Sequence, residues 1–371
     1  MKLLFWFSIF LTFYAYVLYP GWLFLRARLY PRPIDRKPVY PKISIVLAVR
    51  NEGKHLAAKL SNLQRLDYPR ELLDIFVVSD ASTDQTNDIL KNPDDSRVHA
   101  ILLPEHAGKA EALNRAIEAA TGEIVVFMDA RQRIANDGLR TLAEALADPS
   151  VGCVSGALQL GDGEDHSPKG VGSYWKMEKG IRSWESTAGS VVGATGALYA
   201  VRRNLIPHLP PGLILDDVFI PMEVVRRGVR VIFEPRALAW DSLPSNPQQE
   251  FRRKVRTLFG NYQLLRFAPW LLTSANPLRF EFFSHKLCRL AVPFALLGMI
   301  LSSFFLSGYL YRLPLAAAVG VVAFGFLALL RRPLGIVSRL TDLALAFVLL
   351  NTAAIVAFFY FAVGKKRVWV S

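Results

Sequence analysis

The chain has 371 residues, 52% of them apolar, with a mean hydropathy of +0.26. That is too long for a single small domain, and apolar enough for one large soluble domain joined to several membrane-crossing helices. Lys and Arg number 44 against 31 Asp and Glu, a formal net charge of +13. Such a balance fits nucleic acid, anionic lipid or a phosphorylated substrate; membrane-grade apolar ends favour the last two, so no nucleic-acid partner is expected. The only two cysteines, Cys153 and Cys288, exclude a disulfide framework and a metal-thiolate cluster, and the soluble part is expected to be cytoplasmic.

Residues 1–25 carry no charge between Leu3 and Leu25, enough at about 1.5 Å per helical residue to cross a hydrocarbon core of roughly 30 Å. The run exceeds the apolar region of a signal peptide and no small-residue cleavage pattern follows it, so a transmembrane helix is predicted. Residues 26–42 form a basic, Pro-rich linker. Its Arg26, Arg28, Arg32, Arg36, Lys37 and Lys42 place the following domain on the cytoplasmic side.

From residue 43 to residue 262 strands and helices alternate. Ile43 to Val49 is a β-branched run that ends in Arg50, Asn51, Glu52 and Gly53, as a buried parallel strand running into a loop would. Leu56, Leu60 and Leu63 then recur at helical spacing. Ile75 to Val78 ends in Ser79, Asp80, Ala81, Ser82, Thr83 and Asp84, whose short polar side chains cap helices and line loops. A helix is predicted from Lys109 to Ala120, and Gly122 separates it from a strand, Ile124 to Met128, that delivers Asp129 at its carboxyl end. In open parallel sheets that edge holds the ligand. Asp216 and Asp217 close a further apolar run, and Phe251 to Arg256 is a basic block. The expected fold is α/β, with a mainly parallel sheet and transmembrane helices at both ends.

Residues 263–289 read as an interfacial segment, and 290–364 contain three more uncharged runs, Leu290 to Tyr311, Leu313 to Leu330 and Leu343 to Gly364. Each is long enough to span. If all three do, the basic tail, 365–371, ends outside against the charge rule, so one run is a candidate interfacial or re-entrant helix. Pro293 and the shortness of the second run make the first two the weaker spans.

Seven stretches in this order resemble the inverting family 2 glycosyltransferases with a GT-A type nucleotide-sugar domain. They are VRNEG at 49–53, VVSDASTDQT at 77–86, GKAEALNRA at 108–116, FMDA at 127–130, GATGALYAVRR at 193–203, LDDV at 215–218 and RRKVRTLFG at 252–260. The likeness covers about residues 43–262 and is strongest to membrane-embedded poly-N-acetylglucosamine, cellulose, chitin and hyaluronan synthases. It implies a UDP-sugar donor, a glycan or lipid-linked acceptor, contact with membrane lipids, and export or accessory subunits, because a polymer made inside must leave through something.

The resemblance places Arg50, Asn51 and Glu52 in the first nucleotide loop and Asp80 on the base or ribose of the donor. Lys109 opens a helix, where ammonium and helix dipole both favour an anion. Asp129 matches the first aspartate of the metal motif, which bridges to Mg2+ or Mn2+ on the diphosphate. Arg131 stands where most relatives carry a second acid. Either Asp129, phosphates and water hold the metal, which is the reading preferred here, or Arg131 itself neutralises the phosphates. Asp217 resembles the catalytic base, with Asp216 beside it to raise its proton affinity. Gly193 and Gly196 would let backbone approach an acceptor sugar. Arg253 and Arg256 fall on a processive-synthase signature, Gln-Arg-x-Arg-Trp-x-x-Gly, in which Arg253 replaces the glutamine and Thr257 the tryptophan; a second register starts at Gln249. Charge for the leaving diphosphate is thus kept while the aromatic platform for the acceptor is lost.

Each residue also has a plainer role available: capping for Asp80, Asp216 and Asp217, a solvated face for Lys109, and a lipid-facing surface for the basic block. The expected function is transfer of a sugar from a UDP-sugar to a growing exported polysaccharide. Single transfer to a polyprenyl phosphate or glycolipid, and a non-catalytic nucleotide-binding scaffold, are the alternatives.

Overall fold

The computed structural model describes residues 1–161, 172–242, 247–329 and 336–365. The polar loop from Asp162 to Lys169, the Arg331 and Arg332 loop, and the tail with Lys366, Arg367 and Trp369 lie outside the described residues.

The strands are β1 (Ile43–Val49), β2 (Leu73–Asp80), β3 (Val98–Leu103), β4 (Ile124–Phe127), β5 (Arg133–Ile134), β6 (Val151–Leu160), β7 (Tyr199–Arg202) and β8 (Arg230–Asp241). They form one eight-stranded sheet in the order β3-β2-β1-β4-β7-β6-β8-β5. The β3-β2-β1-β4 half is parallel, β7 runs antiparallel to both β4 and β6, and β6 pairs with β8 in parallel. The expected mainly parallel α/β sheet is therefore present.

β1 is buried along its whole length apart from half-buried Ala48, which is why its sequence is an apolar run interrupted only by Ser44 rather than an alternating one. Its side chains still alternate between two cores. Ile45 and Leu47 join Ile75, Val77 and Val126 on one face, with Leu56 and Leu63 of helix Gly53–Gln64. Val46 joins Val78, Val125 and Phe127 on the other, with Leu113 and Ala116 of helix Lys109–Ala119. β2 extends to Asp80 because β3 carries the ladder one residue past β1, with Asp80 opposite Leu103. β4 ends at Phe127, so Asp129 lies just beyond it, at the edge where β1 and β2 also end.

Among the described residues four helices are long and apolar enough to cross a membrane: Lys2–Leu29, Arg279–Phe304, Tyr309–Ala328 and Leu343–Ala362. The second begins at Arg279 and so takes in part of the segment read as interfacial. The first packs on the second through Ala15, Cys288 and Val292. Helix Pro247–Phe267 ties the last of them to the sheet, with Tyr262 against Phe358 and Phe259 against Phe361. One apolar core therefore runs from Phe127 and Tyr199 through Val255 and Phe259 to Ala353 and Ala357.

Gly122 sits where only hydrogen fits: a Cβ there would lie 2.6 Å from the Ser44 nitrogen and 2.8 Å from the Ile43 carbonyl carbon. Both are backbone atoms of β1 and cannot swing away. Gly122→Ala is expected to cost about 1–3 kcal/mol, read as a lowered thermal midpoint of the purified protein.

Candidate active site

The loops after β1 and β2 are stitched to each other. Asn51 has a left-handed φ of 54°, which turns its Oδ1 to accept from the Thr83 N–H at 2.8 Å. Its own N–H donates to Ser82 Oγ at 3.1 Å, the Glu52 N–H to Thr86 Oγ1 at 2.9 Å, and the Gly53 N–H to Asp84 Oδ2 at 3.0 Å. Arg50, Asn51 and Glu52 thus stand at the carboxyl edge of the sheet, and Arg50 is exposed. The Thr86 hydroxyl lowers the pKa of Asp84, which acts as a cap.

Asp80 is buried, and both its oxygens hold the segment that leads into helix Lys109–Ala119. Oδ1 accepts from the Ala107 N–H at 2.7 Å, and Oδ2 from the Gly108 N–H at 2.9 Å with His106 Nδ1 at 2.7 Å. Gly108 has φ 93°, a conformation a side chain would strain. Through this loop Asp80 places Lys109.

Lys109 Nζ lies 3.2 Å from Asp129 Oδ1 and 3.1 Å from Asp216 Oδ1, so one ammonium joins carboxylates from two chain segments. Burial works against its charge, but Asp129, Asp216 and Asp217 more than offset this and hold its pKa above the usual lysine range. Asp216 is buried and accepts a second hydrogen bond from the Tyr199 hydroxyl at 3.0 Å, while the Tyr199 ring stacks on Phe127 with centroids 4.6 Å apart. Asp217 is half-buried and faces the small loop. Its Oδ2 accepts from the Gly196 N–H at 3.2 Å and its backbone carbonyl from the Ala194 N–H at 2.7 Å. A Cβ on Gly196 would be 3.4 Å from Asp217 Oδ2 and 3.7 Å from Asp129 Oδ2, so both carboxylates border the same space. Gly193, at φ 155°, turns the loop over Val218. Burial first, then the neighbouring Asp216, pushes the Asp217 pKa up to about 6, with Lys109 and Lys286 pulling the other way.

Asp129, Asp216 and Asp217 thereby meet around Lys109 and Gly196, and Asp80 reaches them only through the loop that places Lys109. Asp216 is a buried anchor, while Asp217 is the open carboxylate. The basic helix divides likewise. Asp129, Asp216 and Asp217 all act on Arg256, whose charge burial disfavours. Arg253 instead pairs with Glu250 at 3.0 Å and Asp241 at 3.6 Å, and Arg252 is exposed. Thr257 is exposed and its hydroxyl donates to the Arg253 carbonyl at 3.1 Å. Gly260 lets the helix press on Leu215, whose Cγ would lie 2.7 Å from a Cβ there.

Tyr199, His106 and Lys59 were not singled out from sequence. Tyr199 lies inside the 193–203 stretch, but nothing in its spacing links it to Asp216. Lys59 sits on the apolar face of its helix and donates to the Gln132 carbonyl at 2.9 Å; burial pulls its pKa down to about 7, against the attraction of Asp129. Trp184 packs on Phe24 and Trp240 lies under Arg133. Both serve packing. The side chains of Tyr174 and Trp175 lie outside those described.

Among the described residues no group of three or more His, Cys, Asp or Glu side chains could enclose a metal. Asp129, with its side chain 41% exposed, offers one carboxylate toward the cleft. That set fits a hard cation that keeps waters and takes its remaining ligands from substrate phosphates, and does not fit an all-protein cage.

Tyr199→Phe removes a donor from buried Asp216 and is expected to cost about 1–3 kcal/mol in denaturant unfolding. Lys109→Met should destabilise more, because it leaves two carboxylates facing each other unneutralised.

Residues 44–209 match the family described as Glycosyl transferase family 2. The chain is 25% identical over 229 residues to a poly-beta-1,6-N-acetyl-D-glucosamine synthase of Staphylococcus aureus, covering 60% of this chain and 55% of that protein. It is 26% identical over 262 residues to an N-acetylglucosaminyltransferase of Rhizobium meliloti, covering 66% and 61%. The chain thus spans about three-fifths or less of the length of these relatives. A solved mannosyltransferase of Pyrobaculum calidifontis shares the fold over 98% of this chain and 99% of its own, with a TM-score of 0.76 and 24% identity. With the ordered motifs, the eight-stranded sheet and the clustered acids, these matches identify residues 44–209 as a family 2 glycosyltransferase domain.

Proposed function

We propose that the protein is a membrane-integral, inverting glycosyltransferase that uses Asp217 as base and a UDP-sugar as donor. The observation that carries this reading is the geometry at Gly196: Asp217 is the open member of the acidic pair and borders the same space as Asp129. Asn51, Glu52 and the loop held by Asp80 would receive the nucleoside, while Lys109 and Arg256 face the diphosphate. Asp129 would hold Mg2+ or Mn2+; when bound, the ion neutralises charge on the departing diphosphate. The mannosyltransferase neighbour was solved with GDP-Man and Mn2+, which favours a divalent ion here as well. Arg131 is exposed and would add a fixed positive charge where a second acid is missing.

Asp217 removes the proton of the acceptor hydroxyl as its oxygen attacks the anomeric carbon from the face opposite the leaving UDP. The relatives favour a growing polysaccharide as acceptor, made on the cytoplasmic side and passed outward. Single transfer to a lipid-linked acceptor is favoured by Thr257, an exposed hydroxyl where processive synthases carry tryptophan.

Because the base must be ionised, activity should fall as pH drops below about 6 and level off above it. Asp217→Asn should lower turnover about 10²–10⁴-fold while leaving UDP binding intact. Unchanged turnover in that variant removes Asp217 from the chemistry. UDP release from a panel of UDP-sugars, with Mg2+, Mn2+ or chelator, tests donor and metal together: one sugar should stand out, and Asp129→Asn should raise the metal concentration needed. Sizing of labelled product then separates a ladder from a single added sugar.

A further inference from the structure

A second polar cluster is buried where the catalytic domain meets the membrane helices. Glu178 and Glu185 stand two turns apart on helix Gly172–Ala188, which packs on the first membrane helix through Ile181, Ala188, Tyr19 and Leu23. His285, on helix Arg279–Phe304, bridges them, with Nδ1 2.7 Å from Glu185 Oε1 and Nε2 3.1 Å from Glu178 Oε1. Arg289 reaches Glu178 Oε2 at 2.7 Å, Arg182 approaches Glu178 Oε1 at 3.8 Å, and the Tyr19 hydroxyl donates to Glu185 Oε1 at 3.0 Å. Both oxygens of Glu178 are therefore engaged, and Glu185 is engaged through Oε1 while its buried Oε2 has no hydrogen-bond partner among the described residues. The clamp fixes the rotation of the membrane helix, and so the direction of the next residue, Lys286.

Lys286 is half-buried. Among the described residues no carboxylate lies within ion-pair distance of it, yet its charge acts on Asp217 as well as on Arg182, Glu178 and Glu185. The family 2 motifs do not contain it, since it lies well past residue 262. A cation drawn out of water at a bilayer edge is costly unless an anion comes to meet it. The clamp acids are engaged by His285, Arg289 and Tyr19, and among the described residues neither they nor Asp217 form an ion pair with Lys286. An arriving anion would supply that pair. Because Lys286 belongs to a membrane helix, a ligand that reaches it along that helix comes from the lipid side.

We propose that Lys286, positioned by the Glu178–His285–Glu185 clamp, binds the phosphate of a lipid-borne acceptor whose sugar hydroxyl is delivered to Asp217. This rests on the glycosyltransferase reading and selects the lipid-linked acceptor within it. In the step itself the acceptor oxygen bonds to the anomeric carbon, the bond from that carbon to the diphosphate breaks, UDP leaves with the electron pair, and the hydroxyl proton passes to Asp217. The acceptor phosphate on Lys286 is unchanged. His285, Glu178 and Glu185 are positioning residues.

The test uses full-length protein in detergent with the donor that supports UDP release, and compares three acceptors. These are N-acetylglucosamine on a short isoprenyl diphosphate, N-acetylglucosamine 1-phosphate in solution, and an uncharged octyl N-acetylglucosaminide. Wild type should have its lowest KM for the first. Measured well above pH 6, where Asp217 is ionised with or without the lysine, Lys286→Gln should raise that KM about tenfold while the donor KM and the KM for the uncharged acceptor stay the same, and Lys286→Arg should restore it. His285→Gln should raise the same KM selectively. An unaltered KM in Lys286→Gln, or a wild type that takes the uncharged acceptor equally well, overturns the assignment while leaving the enzyme reading intact. Equal use of the soluble phosphate overturns the lipid origin. No turnover by wild type with any donor overturns the enzyme reading itself.

Discussion

The lysine that joins Asp129 to Asp216 is the contact on which the cleft depends. Three acids from two separate segments, Asp129 and the pair Asp216 and Asp217, are brought together beside an apolar core, where like charges repel strongly and water is scarce. Lys109 lies between two of them, and the hydrogen bonds that Asp80 accepts from residues 106–108 fix where that lysine starts its helix. The Tyr199 hydroxyl also donates to Asp216, so the buried member of the acidic pair is held in place. Asp217 is left as the carboxylate with a raised proton affinity and an open side.

This arrangement is continuous with the membrane part. Helix Pro247–Phe267 carries Arg256 toward the acids on one side and lays Phe259 and Tyr262 against the last membrane helix on the other. Gly260 is the close-contact point that lets the helix reach Leu215, next to the acidic pair. A displacement of the last membrane helix would therefore be felt at Arg256. On the opposite side, the buried bridge from Glu178 and Glu185 to His285 couples the first two membrane helices to the helix that precedes the Gly193–Gly196 loop. The long apolar helices and the loops at the carboxyl edge of the sheet share one packed body.

Much of the site could be read from residue order because strand-end loops carry local signals. An apolar run followed by Asp, Ser, Thr or Asn marks a carboxyl-terminal strand edge wherever it occurs, and Asp80, Asp129 and the 50–53 loop were found that way. Strands β3, β6, β7 and β8 were less legible. β3 lies at the sheet edge with His99, Ala100 and Leu102 exposed, and β7 is only four residues long, between a loop and a short helical turn. The two arginines of the basic block were equivalent in sequence; helical geometry turns Arg256 to the acids and Arg253 to Glu250 and Asp241.

By itself the sequence determined which residues are chemically capable: the strand-end carboxylates, the helix-start lysine, the basic block and the apolar runs, each specified by its near neighbours along the chain. Tertiary structure decided what each one does. Asp216 and Asp217 are adjacent and identical in type, yet one is sealed against Tyr199 and Lys109 while the other faces Gly196, because successive helical residues point about 100° apart. The same holds for Lys286 and His285. Their roles arise from helices that meet only after the chain has folded, and no local pattern records such a meeting.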